Sequence, residues 1–118
     1  MGYTRFTNVE ATGDLKAGTL AGLFNGLLGS TTLSKSDSYT LADSEKKPYI
    51  GITLSAASKT VILGLETGQV AIVVNEGGSN AFTLKNVSGD SGTSLAAGKL
   101  AIIKASKTAN GSKVYVLN

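Results

Sequence analysis

The sequence predicts an all-β fold: a small antiparallel β-sandwich or barrel with an N-terminal arm. Three observations carry that expectation. From Ser38 onward, short runs rich in Val, Ile, Leu, Thr and aromatic residues recur roughly every ten residues. Clusters of Gly, Ser, Asn and Asp punctuate them. The single proline, Pro48, stands just ahead of a run, where it removes no ladder hydrogen bond.

Along the chain, residues 1–36 differ from the rest and are expected to form an arm or docking segment, with the β domain at 37–118. Within the arm, Leu20, Leu23, Phe24, Leu27 and Leu28 follow helical spacing, and Asp14 is placed to cap such a helix. Gly18, Gly22, Gly26 and Gly29 fall on one side of it, each costing about 1 kcal/mol of helix stability relative to Ala. Two readings fit: a short helix whose small face packs on a partner, or an extended arm that orders on assembly, the second being preferred. The strand runs that follow are SYTL (38–41), YIGITL (49–54), KTVILGL (59–65), QVAIVVN (69–75), AFTLKNV (81–87), KLAIIKA (99–105) and KVYVL (113–117). SAAS, ETG, EGGSN, SGDSG and TANGS break them. Asn110-Gly111 is the strongest hairpin signal, because a type I′ turn needs positive φ at both central residues. It places Tyr115 and Leu117 on one face of the last strand and Val114 and Val116 on the other.

Three runs, VILGL (61–65), VAIVV (70–74) and LAII (100–103), are continuously apolar where a half-exposed strand would alternate. Their second face is expected to meet another subunit, the alternatives being barrel closure or cover by the arm. A homo-oligomer follows, with a trimer favoured.

Composition removes most enzyme chemistry. The 118 residues contain no His, Cys or Trp, so imidazole bases, thiolate nucleophiles, Cys/His zinc sites and disulfides are out of reach. Charged residues are 16% of the chain, while Gly, Ser, Thr and Asn fill 48 positions. The net charge of +3 is scattered, and exposed aromatics are expected to be few, so no nucleic-acid platform is expected. The polar start is no secretory signal, and Leu20–Leu28 is far short of the roughly 20 residues that span a bilayer, so no membrane is expected. Phe6 spoils a myristoylation match.

The remaining motifs read as structure. SGTSLAAGKL (91–100) has five residues between Gly92 and Gly98 and Leu100 after Lys99, which breaks the phosphate-loop pattern; Ala97-Gly98-Lys99 is a turn into a strand. Asp37, Asp43, Glu45 and Asp90 read as loop carboxylates bonded to their own backbone. Lys46, Lys47, Lys99, Lys104, Lys107 and Lys113 give a mildly basic surface of the kind that guards sheet edges. Asn86-Val87-Ser88 and Asn110-Gly111-Ser112 match a glycosylation pattern that is inert without secretion. No catalytic, cofactor-binding or metal-ligating residue is nominated.

Residues 59–118 carry a distinctive succession: a strand ending in EGGSN, the step SLAAGK that opens the next strand, and Asn110-Gly111 before a closing strand with Tyr115. This resembles the small all-β domains of tailed-phage virion proteins. The resemblance implies a non-enzymatic structural protein, a capsid decoration or head-fibre protein that binds the major capsid protein or another virion protein. It would sit on the capsid surface after assembly in the host cytoplasm. The alternative is a tail-fibre or baseplate module that contacts host glycans.

Overall fold

The computed structural model describes residues 29–117 as nine strands in two stacked sheets. The strands are β1 (Ser30–Lys35), β2 (Tyr39–Thr40), β3 (Tyr49–Leu54), β4 (Lys59–Ile62), β5 (Val70–Asn75), β6 (Phe82–Lys85), β7 (Thr93–Leu95), β8 (Leu100–Lys104) and β9 (Lys113–Leu117). One sheet has the order β1-β3-β5-β8-β9, the other β2-β4-β6-β7. The all-β sandwich expectation holds, and the two sheets do not close into a barrel.

Antiparallel pairing, expected throughout, is confined to β6–β7, β5–β8 and β8–β9. The pairs β1–β3–β5 and β2–β4–β6 are parallel. The cause lies in the connections. The polar corners after β1 to β5 do not reverse the chain onto its own sheet; they carry it across to the other one. The chain then returns one full coil later beside its starting strand, which makes the pairing parallel. Leu33 lies beside Ile52, and Ile52 beside Asn75; in the second sheet Tyr39, Val61 and Leu84 stack likewise. One coil therefore occupies about 20 residues, the connectivity of a short two-sided β-helix.

The core fills the space between the sheets. Ile50, Ile52, Leu54, Ala71, Val73, Ala101 and Ile103 face Val61, Leu63, Leu65, Phe82, Leu84 and Leu95, all buried. Leu33 of β1 belongs to this core, so the β domain begins before the expected boundary at residue 37. The rest of the expected arm, residues 1–28, lies outside the described residues.

Buried amides fasten the coil corners. Asn75 Nδ2 donates to the carbonyls of Asn80 and Leu95, and its Oδ1 accepts from Gly77 N–H. Asn80 Nδ2 reaches the Leu54 carbonyl one coil back. At the opposite corner Asn86 Oδ1 accepts from Leu65 N–H, while its Nδ2 donates to the carbonyls of Leu65 and Ser106. Each bond satisfies main-chain groups that a corner takes out of the ladder.

The last hairpin differs from expectation. Lys104 pairs with Lys113, so the β8–β9 connection is a long loop, not a two-residue turn. Within it Gly111 N–H donates to the Thr108 carbonyl at 2.9 Å. Asn110 has φ of 61° whereas neither Ala109 nor Gly111 is at positive φ, the pattern of a type II turn and not type I′. Gly111 is needed for space: a Cβ there would meet Ser106 Oγ at 2.6 Å. The expected facing of the closing strand stands, with Val114 packed on the main core and Leu117 on the opposite face.

Candidate interaction surface

The two sheets present opposite characters to the outside. On the outer face of the four-stranded sheet, register places Thr60 beside Thr83, Thr83 beside Ser94, and Ile62 beside Lys85. This is the polar-out alternation of a solvated face. The five-stranded sheet breaks it. One row across that sheet reads Ser30, Tyr49, Ile72, Ile102, Tyr115, and the next Thr32, Gly51, Val74, Leu100, Leu117. Tyr49, Ile72 and Leu100 form a second buried apolar cluster, with Val74, Ile102 and Leu117 half-buried around it.

Two of the three continuous runs are thereby explained. VAIVV and LAII alternate between the core and this second cluster. VILGL does not: Val61, Leu63 and Leu65 all point into the core, Ile62 faces out, and the strand ends before Gly64 at φ of 66°.

At the β9 border the apolar surface opens. The large apolar side chains left exposed among the described residues are Val70 at 50%, Tyr115 at 62% and Val116 at 42%, all on the five-stranded sheet. Tyr115 and Val116 point to opposite faces of the edge strand β9, as period-two alternation requires, and both are exposed. Lys104 and Lys113, both exposed, lie directly opposite each other in the flanking row, and neither joins an ion pair among the described residues. Like charges in that position repel, and an acidic partner relieves the repulsion.

At the far side of the cluster, Tyr49 Oη donates to Glu76 at 2.7 Å, and the Glu76 side chain lies over Gly51, where a Cβ would overlap it. Burial, then the hydrogen bond to Glu76 and its charge, push the Tyr49 phenol up to about 12.

The carboxylates singled out in the sequence do not converge. Asp37 pairs with Lys59 at 3.1 Å and Asp43 with Lys46 at 2.9 Å. Glu45 accepts from Tyr39 Oη and Ala42 N–H. Asp90 is buried, unlike a solvated loop residue. It accepts from its own turn at Asn86 and Val87, and from Asn110 N–H across the gap at 2.6 Å. Burial pushes its carboxyl up, but these three donors outweigh burial and hold it below the usual carboxylate range. Gly98 sits at φ of 78° in the turn that enters β8, as the sequence indicated. Among the described residues no three acidic groups gather as a metal site, and no helix is long and apolar enough to cross a membrane.

Two clefts accompany the surface. One, of about 120 Å³, lies between Asp90, Gly92, Asn110 and Val114. The other, of about 300 Å³, is lined by Ser58, Lys59, Ser79, Asn80, Phe82 and Ser94, and its one ring, Phe82, is buried. Comparison with protein-family models, curated proteins and solved structures returned no match to this chain.

Proposed function

We propose that the chain is a non-enzymatic structural protein of a tailed-phage virion, a capsid decoration or head-fibre protein that binds the capsid surface and stabilises it. The virion assignment rests on the resemblance of residues 59–118. The observation that carries the docking is the β9 border, where Tyr115 and Val116 are exposed on both faces of an edge strand. A partner strand laid along β9 completes its main-chain hydrogen bonds and buries both side chains. Acidic groups on that partner meet Lys104 and Lys113.

Magnitudes favour a multivalent arrangement. About 300 Å² of apolar contact is worth roughly 7 kcal/mol at about 25 cal/mol per Å². Association costs about 4–15 kcal/mol. One border alone therefore binds weakly, and a homotrimer presenting three gains by avidity. The tail-fibre reading calls for exposed rings along a glycan groove, and the larger cleft offers only buried Phe82.

The test uses density-banded particles of the phage that encodes the chain. The native chain is expected at a fixed ratio to the major capsid protein. The Tyr115→Glu/Val116→Glu variant is expected to be depleted about tenfold or more, a loss of at least about 1.4 kcal/mol per particle site, with an unchanged circular dichroism spectrum. A native chain missing from the particles overturns the reading; one found only on tails selects the tail-fibre alternative.

A further inference from the structure

Strand β9 is weakly held by packing. None of its five residues is fully buried: Val114 and Leu117 are half-buried, and Lys113, Tyr115 and Val116 are exposed. At the base of the loop that joins it to β8, Lys104 stands directly opposite Lys113, so like charges push the two strands apart there. The first part of that loop is tied to other segments. Gly68 N–H donates to the Ala105 carbonyl, Ala105 N–H to the Gln69 carbonyl, Asn86 Nδ2 to the Ser106 carbonyl and Lys107 N–H to Thr67 Oγ1. From Thr108 to Ser112 the bonds turn inward, with Thr108 N–H donating to Ser106 Oγ and Gly111 N–H to the Thr108 carbonyl. Among the described residues, two hydrogen bonds carry this tip to the rest of the molecule, and both run through Asn110. Its N–H donates to Asp90 Oδ1 at 2.6 Å, and its Oδ1 accepts from Ser91 N–H at 2.7 Å.

We infer that Asp90 is the positioning residue of the docking edge: through Asn110 it clasps the tip of the β8–β9 loop to the β6–β7 corner, and without that clasp β9 parts from β8 while the rest of the sandwich stays folded. The docking role rests on the function proposed above; the clasp does not. Asp90 Oδ2 is fixed by the N–H groups of Asn86 and Val87 at 2.9 and 3.2 Å, which sets Oδ1 in place for Asn110. Asn110 meets it from a left-handed backbone at φ of 61°, which Asn adopts more readily than most residues. Ala109 closes on the same corner, where a Cβ at Gly89 would lie 3.1 Å from its own Cβ. The clasp also reaches the core anchor of β9, because Val114 lines the small cleft that holds Asp90 and Asn110. Three N–H donors aim at the two carboxylate oxygens, so a proton or an amide NH2 on either one sets donor against donor. Burial opposes the charge, and the donors outweigh it. Lys85 of β6 is the charged side chain beside Asp90; from β8 and β9 the cleft wall is Ile103 and Val114, and Thr93 and Ser112 are uncharged.

Amide hydrogen exchange of the full chain, free in solution at neutral pH, tests the clasp. In Asp90→Asn the amides of β9 are expected to exchange about tenfold faster or more, and those of β3 and β5 at the native rate. Native-rate exchange in β9 overturns the inference. Equal acceleration in every strand overturns it too, because Asp90 then supports the whole fold and positions nothing. Acid titration of the native chain covers the case in which the variant does not fold. The clasp is fully present above the ordinary carboxylate value of 3.8 and is lost as pH falls through the lower value of folded Asp90. Protection of β9, corrected for intrinsic exchange, is expected to fall before that of β5, and loss of both together overturns the inference. On phage particles Asp90→Asn is expected to be depleted several-fold. Full occupancy by a variant whose β9 exchanges fast overturns the role in docking. A native chain missing from the particles overturns the capsid reading and leaves the exchange result standing, so the two failures are distinct.

Discussion

At the scale of single residues, the side chains that decide most are polar and buried. Asn86 makes three bonds to main-chain groups of two other segments. Asn86→Ala strands a donor at Leu65 and acceptors at Leu65 and Ser106, with a cost of about 2–4 kcal/mol, read from the urea midpoint at constant slope. A slope that falls with the midpoint would mean that the corner opens without the rest. Tyr49 offers a pH signature. Its phenol stands at about 12 in the fold against about 10 in the unfolded chain. The raised value stabilises the fold fully below about pH 10, and this contribution is lost as pH climbs to about 12. The melting temperature is expected to fall across that window, and Tyr49→Phe to remove that part of the decline. Gly111→Val is expected to lower the melting temperature by collision with Ser106 and not by a forbidden φ, so Gly111→Ala is expected to lower it too. None of these roles was legible in the sequence. Asn86 is visible only as half of a glycosylation pattern because its partners come from distant segments; Asp90 reads as a turn residue, which matches its bonds to Asn86 and Val87 but not the one from Asn110.

At the scale of elements, every strand run marked in the sequence became a strand, while β1 and β7 were missed. β7 has three residues, too few for alternation to register. β1, STTLSK, carries one buried leucine among polar residues, as an edge strand does, and it was absorbed into the arm. A signal for it was present. TLSKSDSYTL (32–41) and TLSAASKTVIL (53–63) share a Thr-Leu-Ser triplet, a polar corner and a second strand, a sequence repeat two residues out of the observed register, which sets Leu33 beside Ile52. If β1 belongs to the cooperative fold, Leu33→Ala should cost about 2–3 kcal/mol, measured by chemical denaturation. A value near zero would return β1 to the arm. A deletion meant to remove the arm alone must therefore stop before Ser30.

At the scale of the whole molecule, the asymmetry between the sheets was half legible. Unbroken apolar runs in β5 and β8 announced a second buried face, and period-two patterning recovered it. Parallel pairing was not legible, because it depends on whether a corner turns the chain back or across, and corners such as SAAS and EGGSN are compatible with either. The assembly expectation belongs here. Light scattering over a concentration series is expected to show a homotrimer of the full chain, and Tyr115→Glu to weaken it if the β9 border also joins subunits. A monomer at every concentration would leave that border to a foreign partner alone.

The coil connectivity also sets an order of events for the newborn chain. Parallel neighbours such as Leu33 and Ile52 close loops of about 20 residues, whereas Lys104 meets Lys113 and Thr83 meets Ser94 across much shorter ones. Short loops close fastest, so the segments that nucleate most readily emerge from the ribosome after β1 to β5. Until they emerge, Leu33, Ile50 and Ile52 can meet Leu41, Val61, Leu63 and Leu65 but not Leu95, Ala101 and Ile103, so the core is incomplete. Completion of the core is therefore expected to wait for the C-terminal hairpins. A chain truncated after β6 should accumulate as a dye-binding, protease-sensitive species, whatever stability its missing strands contribute at equilibrium.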